Sequence, residues 1–132
     1  MTKNTLHKCE ILRKKSDIQE LWEKGAVINV YPLKLIWLEN KISGHVPIKI
    51  LFAVSKKKIR KAVNRNLVKR RLKELYRLHK AELVSLLKNQ NKEIRIIVMY
   101  LPNTIITYND LEISYLEIME KLKEKLKTNL NF

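Results

Sequence analysis

"FAVSKKKIRKAVNRNLVKRRLKELYR", residues 52–77, passes from β-favouring apolar residues through a lysine-arginine run into leucines at helical spacing. Its first part continues "IKILFAVS", residues 48–55, where Ile50, Phe52 and Val54 alternate with Leu51, Ala53 and Ser55 as the two faces of a strand. The second part predicts a helix over residues 60–80. On a wheel with Leu67 at zero, Leu78, Leu75, Val68 and Leu72 fall between about 20° and 140°. Arg65, Lys69, Lys80, Lys73, Asn66, Arg77 and Arg70 fall between about 160° and 300° on the same wheel. Arg71 and Asn64 land inside the apolar arc. Arg71 is expected to pass the core edge along its aliphatic stem, and Asn64 to serve the entry turn.

A charged helix face is usually a solvated one. Solvated faces interleave Glu with Lys at four-residue spacing, which stabilises the helix. Here Glu74 is the single acid between residues 56 and 80, and like charges stand at 65/69, 69/73 and 73/77. A face that weakens its own helix implies an external counter-charge. Cations and an asparagine spread along a helix suit a phosphate backbone. The preceding "SKKKIRK" adds cations at the strand-to-helix junction, where free helix N–H groups also favour phosphate. The face therefore reads as a nucleic-acid surface, with RNA and DNA both open at this point.

The whole chain carries 28 basic and 13 acidic residues among 132, a formal +15. Residues 1–55 contribute +4, residues 56–80 contribute +11 and residues 81–132 contribute zero. The excess is a patch. The length suits one domain across residues 1–132 with a modest core. No apolar run is long enough to span a bilayer. "MTKNTLHKCEILRKKSD" lacks the apolar region of a secretory signal, so export is not expected. The single cysteine, Cys9, cannot form an internal disulfide, which fits a reducing cytoplasm.

The remaining elements follow from local pattern. "SDIQELWEKG" predicts a short helix capped by Ser16 and stopped by Gly25. "AVINVYPLKLIWLE" predicts two strands with Pro32 at the bend, and "NKISGHVP" a turn. "EIRIIVMYL", residues 93–101, is nearly continuous in apolar content and predicts a central strand. A last helix is predicted from a cap at Asn109 with Glu112 as reciprocal partner. Leu111, Tyr115, Ile118, Met119, Leu122 and Leu126 form its core face. Its Lys and Glu alternate and cancel, which suits a solvated outer side better than a membrane surface. The order α-β-β-β-α-β-α predicts an α+β fold, with helices on a mostly antiparallel sheet of about four strands.

No chemistry-bearing arrangement stands out. A nuclease with its own Mg²⁺ site needs clustered carboxylates, whereas the acids here are scattered. His7, His45 and His79 are far apart in sequence, and no zinc spacing, glycine-rich phosphate loop or nucleophile-His-acid set occurs. No catalytic residue and no metal ligand is expected on the protein, and no small-molecule substrate.

The stretch resembles the hallmark of the protein subunit of bacterial ribonuclease P, a strand ending in S-K-K followed by a helix carrying A-V-x-R-N-x-x-K-R. Ser55, Lys56 and Lys57 match the first part; Ala62, Val63, Arg65, Asn66, Lys69 and Arg70 match the second, followed by Lys73, Glu74 and Arg77. "LRKKSDIQELWEKG", "IRIIVMYLPN" and "YNDLEISYLEIMEKL" look like the family's opening helix, last strand and closing helix. The resemblance implies a four-stranded sheet with a left-handed βαβ crossover. It implies contact with the catalytic RNA subunit through Lys56, Lys57, Arg65, Asn66, Lys69, Arg70, Lys73 and Arg77. It further implies a cleft for the 5′ leader of precursor tRNA near Trp22, Lys34, Ile36 and Phe52, and Mg²⁺ held by the RNA subunit, which cuts the phosphodiester bond. Ile18 and Trp22 stand where the family usually has phenylalanines; Trp22 can stack on a base, worth about 1–3 kcal/mol. The alternative is a non-enzymatic RNA- or DNA-binding protein, ribosome-associated or regulatory. A helix-turn-helix reader would need a helix before the basic one, where the pattern is instead that of a strand.

Overall fold

The computed structural model describes residues 10–40 and 47–128. Of the turn expected across residues 40–47, residues 41–46 lie outside the described residues, as do His7 and Cys9. Seven elements follow in the expected order: α1 (Lys15–Lys24), β1 (Ala26–Val30), β2 (Leu33–Asn40), β3 (Ile48–Val54), α2 (Ala62–Asn89), β4 (Glu93–Tyr100) and α3 (Tyr108–Thr128). The sheet runs β1-β2-β4-β3. β1 with β2 and β2 with β4 are antiparallel, and β3 lies parallel to β4 through the α2 crossover. β4 is central, as its nearly continuous apolar run requires, since both of its faces are covered.

Strand parity divides the core in two. Leu33, Leu35 and Trp37 of β2, Ile50, Phe52 and Val54 of β3, and Ile94, Ile96 and Val98 of β4 face α2 and α3. Ile36 and Ile97 face the other way, against Leu12 and against Leu21 of α1. Arg95 of β4 ties α1 down, its guanidinium 3.1 Å from Asp17 and 2.8 Å from Glu20. Gly25 is required by close approach: a Cβ there would lie 2.5 Å from Ile36 Cγ2 and from the Leu21 carbonyl oxygen. Before α1, Ile11 bridges to Ile50 and the Leu12 N–H donates to the Ile50 carbonyl at 3.0 Å. This short segment covers the outer edge of β3, where open N–H and C=O groups would otherwise invite another strand.

α3 buries all six residues its periodicity named: Leu111, Tyr115, Ile118, Met119, Leu122 and Leu126. Its cap is not Asn109. The helix begins at Tyr108, and Thr107 Oγ1 accepts the Asp110 N–H at 3.2 Å. α1 likewise starts one residue before Ser16, with Lys14 at the N-cap and no side-chain cap. In both places the helix takes two more residues than a cap at the polar side chain would give.

α2 differs most from its wheel. It runs 28 residues, about 42 Å, to Asn89. It ends where Asn91 takes a left-handed φ of 54° and the Lys92 N–H bonds the Leu87 carbonyl at 2.9 Å. Its buried residues are Val68, Leu72, Leu75, Tyr76, Lys80, Leu83 and Leu87, whereas Leu78 is exposed and Leu67 half-buried. The buried arc is therefore rotated by roughly 80° from one drawn through the leucines of residues 67–78 alone. Tyr76, Leu83 and Leu87 move its centre. Leu75→Ala is expected to cost about 2–5 kcal/mol in urea unfolding, because this fully buried side chain would leave a cavity in the main core.

Candidate nucleic-acid interface

The cations divide into three environments. Lys56, Lys57, Lys58, Arg60 and Lys61 lie exposed on the junction between β3 and α2. The junction is a folded turn: Ser55 accepts the Ile59 N–H on its carbonyl at 3.0 Å and the Lys57 N–H on Oγ at 3.2 Å. Ile59 itself is buried in the main core. On α2, Asn66, Arg70 and Lys73 are exposed and Lys69 is half-buried. Residues 56–73 hold ten cations and no acid. None of these cations meets a carboxylate among the described residues.

Four basic residues of α2 are otherwise engaged. Arg65 turns back, its Nη1 donating to the Ile59 carbonyl at 2.9 Å and the Arg60 carbonyl at 2.7 Å. Arg71 reaches past the core edge as expected and donates to the Ile106 carbonyl at 3.1 Å. Arg77 Nε donates to Glu74 Oε1 at 3.0 Å, and this hydrogen bond holds the Glu74 carboxyl below its usual range. Lys80 is a correction. Its place on the wheel put it on the basic face, yet it is 7% exposed, with its ammonium 2.9 Å from Glu10 Oε1. The Tyr76 hydroxyl donates to the same carboxylate oxygen at 3.3 Å. Extension of the core arc along α2 buries this position, and Glu10 supplies the charge that makes burial tolerable. Burial pushes the Tyr76 hydroxyl strongly upward, so it stays protonated as the donor. His79 is not isolated, since Nε2 lies 3.7 Å from Glu112 of α3.

The four residues named for a leader cleft do not share one surface. Trp22 is half exposed on α1. Lys34 lies on the α1 side of the sheet, cross-paired with Asn29 and Met99. Ile36 is on that side too but is buried beneath α1, 3% exposed. Phe52 is on the opposite face, 5% exposed and edge-on to Tyr76 with ring centroids 6.3 Å apart. Alternation along β3 and β4 forces this: Phe52 pairs with Val98, whereas the Lys34 row continues through Met99 to Ala53. Phe52 is a core residue and cannot meet a ligand beside Lys34.

One step beyond that row, past the ends of β3 and β4, lies an open groove of about 550 Å³. Tyr31, Lys57, Lys58, Arg60, Leu101, Pro102 and Asn103 line it. Tyr31 is 74% exposed at the turn between β1 and β2. The Tyr100 hydroxyl shapes the 101–107 loop, donating to the Thr104 carbonyl at 2.7 Å and accepting the Ile106 N–H at 3.0 Å. An exposed aromatic ring with three cations and an amide is a combination that stacks a base and holds phosphate. Among the described residues no group of three or more His, Cys, Asp or Glu could hold a metal ion. No helix among them is long and apolar enough to cross a membrane.

This arrangement, an acid-free cationic stretch over residues 56–73 on a four-stranded α+β sheet, can be compared with known proteins. The family model described as Ribonuclease P matches residues 6–127. The chain belongs to the ribonuclease P family. The ribonuclease P protein component of Chlorobium phaeobacteroides is 40% identical over 86 residues, covering 63% of this chain and 59% of that protein. That of Porphyromonas gingivalis is 36% identical over 75 residues, covering 57% and 55%. The chain thus spans little more than half the length of these curated relatives. The Staphylococcus aureus RNase P protein superposes with a TM-score of 0.72 at 25% identity, covering 88% of this chain and 97% of that one. The Thermotoga maritima RNase P protein shares the fold, with a TM-score of 0.66 at 19% identity over 85% and 96%. The α+β architecture is that of the ribonuclease P proteins.

Within this ribonuclease P family chain, reading the sequence missed Tyr31, Lys58, Arg60 and Asn103 as companions. Lys58 and Arg60 carried a signal, since both lie in "SKKKIRK". Tyr31 read only as an aromatic strand residue. Pro102 and Asn103 join the groove because β3 and β4 pair in parallel, so their ends meet across the whole length of α2.

Proposed function

We propose that the chain acts as the protein subunit of ribonuclease P, binding the catalytic RNA subunit and the 5′ leader of precursor tRNA in the cytoplasm. The observation that carries this reading is the run of ten cations without an acid at residues 56–73, none of them met by a carboxylate among the described residues. Asn66, Lys69, Arg70 and Lys73 present the α2 surface to the RNA subunit, with Arg77 at its far end. Each exposed cation that neutralises a phosphate releases a counterion, so affinity falls steeply with salt. The leader follows the α1 side of the sheet past Trp22 and Lys34 into the groove of Tyr31, Lys57, Lys58 and Arg60. There a single strand can stack its bases and lay its phosphates along the cations.

The chain's own residues bind and orient RNA. The RNA subunit, with the Mg²⁺ it holds, supplies bond cleavage in this reading, and the protein concentrates positive charge where RNA strands would otherwise repel. Fewer metal ions are then needed to hold the substrate. A second reading, a DNA-binding regulator, is disfavoured because α2 follows directly on β3 and not on a helix that could form a helix-turn-helix with it. Competition at matched salt separates the two. Precursor tRNA with bacterial ribonuclease P RNA should displace duplex DNA; equal or tighter retention of duplex DNA would favour the regulator.

A further inference from the structure

We propose that Arg65 is a positioning residue: it holds the cationic turn in the shape that forms one wall of the Tyr31 groove. The proposal rests on the reading of that groove as a leader site. Arg65 Nη1 donates both of its hydrogens backwards along the chain, to the Ile59 carbonyl at 2.9 Å and the Arg60 carbonyl at 2.7 Å. Charge-assisted bonds of this kind are roughly twice as strong as neutral ones. They fall on the last two residues of the turn before Lys61, whose carbonyl accepts the first helical bonds, from the Asn64 and Arg65 N–H groups.

The turn is thus pinned at three points. Ser55 holds its start through the Lys57 and Ile59 N–H groups, the buried Ile59 side chain holds its middle, and Arg65 holds its end. Lys57, Lys58 and Arg60, which line the groove, hang from the backbone between those pins. The guanidinium also covers two carbonyl oxygens whose negative ends would otherwise stand beside incoming phosphates. Arg70, by contrast, is exposed with no carboxylate partner among the described residues, which suits a direct phosphate contact. A groove shaped before RNA arrives binds with less ordering cost. Arg65 therefore acts on the leader through Arg60 and its neighbours.

The test uses the reconstituted complex with Arg65→Ala, Arg60→Ala and the double variant, measuring affinity for precursor tRNA with and without its leader. Arg65→Ala should lower the leader-dependent part of affinity roughly tenfold, the loss of one to two hydrogen bonds. Combined with Arg60→Ala it should cost less than the sum of the two single losses, because the two act through one element. The salt slope for binding the RNA subunit should match wild type in Arg65→Ala, while Arg70→Ala lowers it by about 1. A slope reduced in Arg65→Ala as in Arg70→Ala, with leader-dependent affinity intact, would overturn the proposal, as would additive losses in the cycle. Amide exchange in the free chain gives an arm independent of activity: the Ile59 amide, bonded to the Ser55 carbonyl, should exchange faster in Arg65→Ala while the core amides of α2 keep their protection. Unchanged exchange there would also overturn the clamp. If the ribonuclease P reading itself fails, wild type will show no leader-dependent affinity, whereas the exchange arm still reports on Arg65.

Discussion

Replacing Lys80 by alanine is expected to lower unfolding free energy by about 3–5 kcal/mol, the usual cost of removing one partner of a buried ion pair. The loss has a specific source. Lys80 and Glu10 side chains are 7% and 8% exposed, with the ammonium 2.9 and 3.0 Å from the two carboxylate oxygens. The same ammonium lies 5.8 Å from the centre of the Tyr76 ring. Without Lys80 the buried carboxylate loses this ammonium, while the Tyr76 hydroxyl still donates to it. Glu10 belongs to the segment that covers the β3 edge, so that edge should loosen as well. Replacing both partners by apolar residues, as in Lys80→Met with Glu10→Leu, should recover part of the loss, less the cost of taking the Glu10 acceptor from the buried Tyr76 hydroxyl. Urea unfolding checks both outcomes. RNA affinity measured where the variant is still folded should match wild type, since Lys80 lies inside the core. A Lys80→Ala variant of normal stability but weakened RNA binding would return Lys80 to the basic face.

The second large effect is on binding alone. Arg70→Ala with Lys73→Ala should lower the dependence of log K on log salt by about 1.5–2 for the RNA subunit, close to one for each phosphate left without its cation. Both side chains are exposed and neither meets a carboxylate among the described residues, so stability should stay within about 0.5 kcal/mol of wild type. Leu75→Ala should show the reverse pattern, with stability reduced and the salt slope kept. The pair of variants separates the outer face of α2 from its buried one. An unchanged slope in the double variant would move the RNA-binding surface away from α2.

Much of the architecture was legible because burial writes itself into spacing. The period of α3 named its six core residues, and the alternation along β3 separated Phe52 from Ala53. Alternation does not say which face meets α1, and that is why Phe52 and Lys34 were placed together although they lie on opposite sides of the sheet. The α2 wheel failed for a related reason. A wheel drawn over part of a long helix weighs only the apolar residues it includes, and the omitted Leu83 and Leu87 shift the buried arc onto Tyr76 and Lys80. Helix starts were legible only approximately, since Ser16 and Asn109 offer capping groups that the chain does not use. The groove was beyond local pattern altogether. Tyr31, Arg60 and Asn103 meet through the pairing of β1 with β2, β2 with β4 and β4 with β3, which joins residues far apart in sequence.

The most direct test of the whole account adds the chain to its cognate bacterial ribonuclease P RNA and measures leader cleavage at low Mg²⁺. Cleavage should rise strongly on addition of the protein, with the gain larger for precursors carrying a leader long enough to reach the Tyr31 groove. Cleavage equal with and without the protein, at concentrations where the RNA subunit is saturated, would contradict it.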